Sequence, residues 1–204
     1  MKKDEIIMKR LFVFAFSLMS TLMAWCDDAT TLTVSPFTIN AGETLEVMAV
    51  VNSPHDDFCQ AQFDIVLPEG ITIPTRSGRY YVLGAPDGVI AYDGSSYSHQ
   101  ISAAQQEDGS IRVVIVSSTN TRFVSSSGTL VRIRLQADAN ITAGEFPMQL
   151  KNIEFTRDNI TKETASDSTT TITVDRVPLK GDINEDGQVT IADVTELVNI
   201  ILGR

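Results

Sequence analysis

The chain has 204 residues, of which 43% are hydrophobic, and carries a formal net charge of −10 at pH 7. This length suits one domain of ordinary size with appendages, and the apolar content is sufficient for a hydrophobic core. The negative charge argues against nucleic acid and anionic membrane surfaces as partners, because both repel an acidic protein. Composition therefore indicates a soluble globular protein with partners of another kind.

Residues 1–26 have the composition of a secretory signal peptide. Basic residues precede an apolar run over residues 11–25, which is too short and too often interrupted by Ser and Thr for a transmembrane span. We expect this segment to be cleaved. The mature protein would then have no transmembrane segment and would be secreted to the extracellular space or the cell surface.

The two cysteines, Cys26 and Cys59, have fates that depend on the cleavage position. Cleavage before Cys26 opens it to lipid anchoring, although a lipobox would have a small residue where Trp25 stands. A retained Cys26 is also available for a disulfide with Cys59. Cleavage after Cys26 leaves Cys59 as a single thiol, and its strand-like surroundings predict that it is buried.

Between Thr31 and Asp175, β-branched or aromatic residues alternate with polar ones, and turn-forming residues interrupt the alternation every 8 to 12 residues or so. This pattern predicts an all-β fold, a jelly-roll-like β-sandwich of about nine strands over residues 27–175. The predicted strands are Thr31–Ile39, Thr44–Val51, Phe58–Leu67, Tyr80–Leu83, His99–Ala103, Ile111–Ser117, Thr129–Ala137, Phe146–Phe155 and Thr169–Val174.

Alternation also predicts which side chains face the core, because successive residues of a strand point to opposite faces of the sheet. In the strand over 129–137 the alternation is irregular, and we expect a slip in register there. The predicted core residues are Leu45, Val47, Ala49, Phe63, Ile65, Leu67, Ile111, Val113, Ile115, Leu130, Ile133 and Leu135.

The segment over residues 75–100 departs from this regularity and is rich in Gly, Ser and Tyr. Loops of this composition often carry binding surfaces, and a tyrosine can both stack on a sugar ring and form a hydrogen bond to it. Two interpretations stay open here, a shallow glycan site and ordinary packing at a sheet edge. The candidate glycan residues are Tyr80, Tyr81, Tyr92 and Tyr97.

A short linker, residues 176–180, precedes a segment with the spacing of a calcium-binding loop. Asp182, Asn184 and Asp186 occupy loop positions 1, 3 and 5, and Gly187 at position 6 permits the sharp turn. Ca²⁺ takes six to eight oxygen ligands, which such a loop presents from alternate positions. The predicted ligands are Asp182, Asn184, Asp186, Gln188, Thr190 and Asp193.

The apolar period changes to that of a helix at the end of this loop, and Gly203 is a helix-stop signal. One face of the helix is apolar and needs a surface to cover it. The predicted docking face consists of Ile191, Ala192, Val194, Leu197, Val198 and Ile201.

Gly181 to Gly203 resembles one repeat of a type I dockerin, the module that attaches secreted polysaccharide-degrading enzymes to scaffold proteins through cohesin domains. Dockerins carry two such repeats packed together, whereas residues 181–204 hold one, with Ile191 and Ala192 in place of an often polar recognition pair. Half a dockerin has too little core to fold alone. We therefore expect the tail to pack on its own sandwich or on a partner protein.

The β region resembles cohesin-like domains and related carbohydrate-binding sandwiches, in residues 41–51, 61–68 and 127–135. Together, these resemblances imply an exported binding protein that acts in polysaccharide utilisation at the cell surface. Its partner would be a cohesin-like domain, of its own or another chain, or a polysaccharide. The alternative is a structural or adhesive protein whose calcium-bound tail only caps the sandwich.

Sequence analysis predicts that the protein is not an enzyme, because no nucleophile-elbow or zinc-protease motif is present. The isolated carboxylates that a glycosidase role would require are Asp64, Glu69 and Asp93, and their spacing is typical of solvated turns. His55 and His99 stand apart from other metal-ligating residues, so we expect surface or hydrogen-bonded side chains.

Overall fold

The computed structural model describes residues 29–158, 160–176, 181–184 and 188–204. The predicted signal peptide, Cys26, most of the linker and Asp186 lie outside the described residues. The strands are β1 Thr31–Val34, β2 Phe37–Asn40, β3 Thr44–Asn52, β4 Phe58–Val66, β5 Ile71–Thr72, β6 Thr75–Arg76, β7 Arg79–Tyr80, β8 Val82–Leu83, β9 Gln100–Gln105, β10 Ile111–Val116, β11 Ser127–Ala137, β12 Gly144–Arg157, β13 Thr161–Thr164 and β14 Ser168–Asp175, and the helix is α1 Ile191–Leu202.

The strands form a β-sandwich, as the sequence predicts. The smaller sheet has the order β1-β3-β11-β5, with β8 also paired to β11. The larger sheet has the order β2-β14-β12-β4-β10-β9, with β13 paired to β12. Strands β6 and β7 form a separate hairpin, and β2 with β14 is the parallel pair. The predicted fold class is confirmed.

The first predicted strand is divided at Ser35 and Pro36, and its two halves belong to different sheets. β1 pairs with β3 in the smaller sheet, whereas β2 pairs with β14 in the larger one. Pro36 has no N–H to donate to a strand ladder, so the pairing ends there. The chain therefore crosses from one layer of the sandwich to the other at this proline.

The core lies between the two sheets, and the predicted core residues are buried in it, except that Leu45 and Leu67 near strand ends are only partly buried. The expected slip in β11 is confirmed as a β-bulge between Thr129 and Val131. The bulge inserts one extra residue, so Leu130 and Val131 both face inward and are fully buried.

The structure also tests the predicted surroundings of three residues with polar side chains, Cys59, His99 and Asp64. The Cys59 thiol is buried and donates a hydrogen bond to the Thr156 carbonyl at 3.3 Å. His99 is buried rather than on the surface; its Nδ1 shares a 2.8 Å hydrogen bond with the Ser98 hydroxyl, and burial lowers the pKa of His99. The expectation that Asp64 lies in a solvated turn is wrong, because it is 3% exposed within β4.

Candidate docking and binding sites

Helix α1 is an intact helix with specific interactions at both ends. The Thr190 hydroxyl accepts the N–H of Ala192 at 3.2 Å, and the Thr190 N–H donates to Asp193 Oδ2 at 2.6 Å, which completes a capping box. At the other end Gly203 adopts a left-handed conformation with φ 66°, which a residue without a Cβ adopts easily. The predicted helix and its stop signal are confirmed.

Asp193 joins this helix to the loop before it. Its Oδ1 accepts the N–H of Ile183 at 2.8 Å and that of Asn184 at 3.3 Å, and the residue is 2% exposed. The Thr190 N–H, together with those of Ile183 and Asn184, holds the pKa of Asp193 below its ordinary value, and burial opposes this shift. One carboxylate therefore ties the start of the loop to the first turn of the helix.

Of the other predicted calcium ligands, all but Asp186 lie on the two described parts of this loop. Asp182 and Asn184 belong to residues 181–184, and Gln188 and Thr190 immediately precede α1. Within the described part of the chain, no group of three or more His, Cys, Asp or Glu side chains forms a metal site. The donor set is nonetheless all oxygen, namely carboxylate, amide carbonyl and hydroxyl, which is the chemistry that suits Ca²⁺.

The apolar face of α1 is uncovered. The buried residue of the helix is Asp193, whereas its large apolar side chains are each at least 42% exposed. These exposed apolar residues are Ile191, Val194, Leu197, Val198, Ile200, Ile201 and Leu202. The residues predicted to form the docking face, which also include Ala192, are therefore exposed.

The predicted glycan tyrosines gather around one short segment, residues 79–84. Tyr80 and Tyr81 belong to it, and the Tyr97 hydroxyl donates to the carbonyl of Gly84 at 2.9 Å. Tyr92 lies against Tyr97 with ring centroids 4.6 Å apart. Tyr92 is exposed, whereas the other three tyrosines are partly buried against the core. Part of the ring surface of these three residues is therefore used in ordinary packing.

The loop between the last two tyrosines is held by Asp93. Its carboxylate accepts the backbone N–H groups and the hydroxyls of Ser95 and Ser96 at 2.8 to 3.1 Å. The Ser96 N–H, followed by that of Ser95, keeps the pKa of Asp93 well below its usual range. Asp93 is exposed and shapes a turn, which agrees with its interpretation as a solvated turn residue.

Sequence reasoning missed a group of four arginines beside these tyrosines, which we call the arginine cluster. Arg132 and Arg134 both pair with Glu46, at 2.9 and 3.4 Å. The Arg134 guanidinium lies 4.0 Å from the centre of the Tyr81 ring, and Arg76 Nη1 donates to the Tyr81 hydroxyl at 3.5 Å. The cluster consists of Arg76, Arg79, Arg132 and Arg134.

A further contact links the arginine cluster to the tyrosines. Arg132 Nε donates to the Gly84 carbonyl at 3.1 Å, the same oxygen that accepts the Tyr97 hydroxyl. A side chain on Gly84 would meet the Tyr97 ring at 2.6 Å, so only glycine allows this close approach. The hydrogen bond from Arg76 lowers the pKa of Tyr81, and the charges of Arg134 and Arg76 add to it.

A groove of about 310 Å³ begins next to the arginine cluster. One wall is formed by β7 of the separate hairpin and by β8, which pairs with β11 of the smaller sheet. The other wall is formed by β9, the edge strand of the larger sheet. The lining residues are Arg79, Tyr80, Val82, Leu83, Gln100, Ile101, Ser102 and Ala103.

The outer face of the larger sheet contains a buried ionic network that the sequence did not reveal. Arg112 donates to both oxygens of Asp64 at 2.7 Å, and Asn152 Nδ2 donates to Oδ2 at 2.8 Å. Asn152 stands at a bulge in β12 with φ 50°. The Arg112 guanidinium keeps the pKa of Asp64 below its ordinary value. The network thus pairs the buried Asp64 carboxylate with one guanidinium group and one amide donor.

No protein-family model and no curated protein sequence matches the chain, but solved structures do. A chain of the CaDoc0917–CaCohA2 complex is 20% identical over 72% of this chain and 100% of that chain, with a TM-score of 0.59; CaCohA2 comes from Clostridium acetobutylicum. The seventh ScaB type I cohesin of Pseudobacteroides cellulosolvens is 12% identical over 74% and 95%, with a TM-score of 0.56.

A cohesin module from a family 33 glycoside hydrolase of Clostridium perfringens is 11% identical over 73% of this chain and 97% of that chain, with a TM-score of 0.55. At such identities the similarity concerns the fold. The chain thus has a cohesin-like β-sandwich, which agrees with the resemblance found in its β region. No described helix has the length and apolarity to cross a membrane.

Proposed function

We propose that this chain is an exported, non-catalytic docking protein. A cohesin-like sandwich over residues 27–175 would be joined by a linker, residues 176–180, to a docking tail, residues 181–204. The observation that carries the proposal is the state of α1, which is capped at both ends while its large apolar side chains lie in solvent. Another surface that covers such a stripe gains the free energy of apolar burial.

Calcium would organise the tail as a single dockerin-type repeat. Asp182, Asn184, Asp186, Gln188, Thr190 and Asp193 would hold Ca²⁺ through oxygen atoms. The ion would neutralise carboxylates that otherwise repel each other and would fix the loop against the helix. Asp193 connects the loop to the first turn of α1, which supports a calcium loop that is held against the helix.

The partner would be the cohesin-like sandwich of a second copy of this protein. One chain contains both a cohesin-like sandwich and an uncovered helix, so two copies can associate head to tail. The alternative, a tail that caps its own sandwich, requires the apolar face of α1 to be buried in the single chain. The exposure of Leu197 and Val198 in the single chain supports the second copy.

Isothermal titration calorimetry of the full chain with CaCl₂ tests the calcium site. We expect one binding event that the pair Asp182→Ala/Asp186→Ala abolishes. The matched control, Asp56→Ala/Asp87→Ala, removes two exposed carboxylates from the sandwich and should bind calcium unchanged. An immobilised copy of the chain should capture a soluble copy only in the presence of calcium. The Asp182→Ala/Asp186→Ala variant should not be captured. Equal calcium binding by both pairs would refute the proposed ligands.

A second candidate function, carbohydrate binding by the same chain, is supported by a separate observation. Tyr80, Tyr81, Tyr92 and Tyr97, which come from two stretches of sequence, converge on the Gly84 segment. With the docking tail, this surface would serve polysaccharide utilisation outside the cell or on its surface. Binding of neutral and acidic polysaccharides by affinity electrophoresis tests it directly.

A further inference from the structure

The arginine cluster has more positive charge than the protein neutralises. Elsewhere in the described sandwich, ion pairs match one base with one acid, as in Arg122–Asp158, Arg157–Asp57 and Lys162–Glu154. In the cluster, Arg132 and Arg134 share the single carboxylate of Glu46, and among the described residues neither Arg76 nor Arg79 has an acidic side chain within ion-pair distance. Four guanidinium groups against one carboxylate leave an excess of three positive charges in the cluster, on a chain whose net charge is −10.

The hairpin at one end of the cluster places two of these charges opposite each other. Arg76 and Arg79 are register partners in the β6–β7 pair, and both are exposed. The turn between them is formed by Ser77 and Gly78, both with positive φ. Like charges directly across a strand pair destabilise it. A bound anion between the two guanidinium groups would remove that repulsion, so the hairpin is suited to hold one.

The groove beside the hairpin offers contacts for uncharged polar groups. Arg79 and Tyr80 of the hairpin line one wall of the groove, and Gln100 and Ser102 line the wall formed by β9. Leu83, which is 40% exposed, lines the opposite wall. A chain of hydroxyl-bearing rings could therefore lie along the groove while an acidic substituent meets the arginines.

We infer that this surface binds an acidic polysaccharide, one with carboxylate groups on its sugar rings. The inference rests on the second candidate function, carbohydrate binding, and names the ligand class. The planar guanidinium groups of Arg76 and Arg79 match a carboxylate in two-point hydrogen bonding. The half-buried tyrosines and the amide and hydroxyl of Gln100 and Ser102 favour a sugar over an acidic peptide, because they offer stacking and neutral hydrogen bonds.

Affinity electrophoresis and calorimetry with polygalacturonate test the inference, with the full chain in the presence of chelator so that the calcium loop takes no part. The variant is Arg76→Gln/Arg79→Gln, and the control is Arg122→Gln, an exposed arginine outside the cluster. We expect the variant to lose affinity about tenfold or more and the control to bind like the wild type. Because the repulsion is removed, the variant should keep or raise the melting temperature.

Two further probes separate the sources of binding. Fully methyl-esterified polygalacturonate lacks the charge and should bind weakly even to the wild type. Equal binding of the ester and the acid would overturn the inference and leave carbohydrate binding standing, whereas binding of neither polymer would contradict both. Poly-glutamate that binds as well as polygalacturonate would also overturn it, because the surface would then recognise charge without the sugar.

Discussion

The sandwich buries its apolar side chains, whereas the tail leaves them exposed. Val113, Ile115 and Leu135 are fully or almost fully buried, because each sheet covers the inner face of the other. In α1, Ile191 and Ile201 are more than 70% exposed, although the helix is equally well formed. The comparison shows that local pattern and capping are sufficient to define an element, whereas the surface that covers it must come from elsewhere. The sandwich covers its own apolar side chains, whereas those of α1 stay exposed in the single chain, which is the basis of the proposal that a partner covers them.

The largest expected difference in stability is between two truncations, one of an apolar residue in the sandwich and one of an apolar residue in α1. Phe63→Ala should lower the free energy of unfolding by about 3–5 kcal/mol, because it leaves a cavity between the sheets. Leu197→Ala should lower it by less than about 0.5 kcal/mol, because the side chain is already in solvent. Chemical denaturation in chelator measures both. A similar loss for the two variants would mean that α1 packs on its own sandwich.

A smaller effect is expected at the buried anion of the sandwich. Asp64→Asn keeps the shape but weakens the contact with Arg112, and should cost about 1–2 kcal/mol, at the low end because Arg112 is 39% exposed on its side chain. The pKa of Asp64 lies below its ordinary value of 3.8, so its stabilisation is complete above that value and is lost as pH falls through the folded pKa. Denaturation can be measured between about pH 6 and pH 2, which spans the range in which carboxyl groups titrate. The free energy of unfolding should depend less on pH in the variant than in the wild type. Identical profiles would exclude this role.

A still more local effect is expected at the link between loop and helix. Asp193→Ala removes the acceptor for three backbone N–H groups, those of Thr190, Ile183 and Asn184. We expect loss of helical circular dichroism and of calcium binding, with an unchanged melting temperature of the sandwich. Glu196→Ala, an exposed acid of the same helix, serves as the control. A drop in the melting temperature of the sandwich would contradict the independence of the two regions.

The smallest expected effect concerns Tyr81 in the arginine cluster. Because the Arg76 hydrogen bond and the Arg134 charge lower its pKa, one tyrosine should titrate before the others in an ultraviolet absorbance titration. Tyr81→Phe should remove this early step, and Arg76→Gln should move it to higher pH. An early step that survives in the Tyr81→Phe variant would assign it to another residue.

Much of the sandwich could be predicted because its pattern is local. Alternation located the core residues, and the irregular spacing between Leu130 and Ile133 predicted a slip in register, which the structure shows as the bulge. The division at Pro36 was missed, although a proline within a predicted strand is a signal for such a break. Asp64 was placed in a turn because nothing in its own neighbourhood indicates the ion pair with Arg112, 48 residues away.

The candidate sites show the same limit. The loop, the helix and its stop signal Gly203 are defined within one short stretch, so spacing alone predicted them, whereas the N-terminal cap at Thr190 was not predicted. The arginine cluster depends on contacts such as Arg132 with Glu46, which are 86 residues apart. Arg132 and Arg134 do alternate on the outward side of β11, but alternation cannot indicate that both share one carboxylate.

Sedimentation velocity of the full chain, in calcium and in chelator, tests the docking claim most directly. We predict that the wild type associates in calcium and returns to a monomer in chelator. Val194→Asp should abolish the association, because it places a charge on the exposed apolar face. Thr195→Asp, the neighbouring exposed position on the same helix, should associate like the wild type. A wild type that remains monomeric in calcium, or a Val194→Asp variant that still associates, would contradict the claim that α1 docks on a second copy.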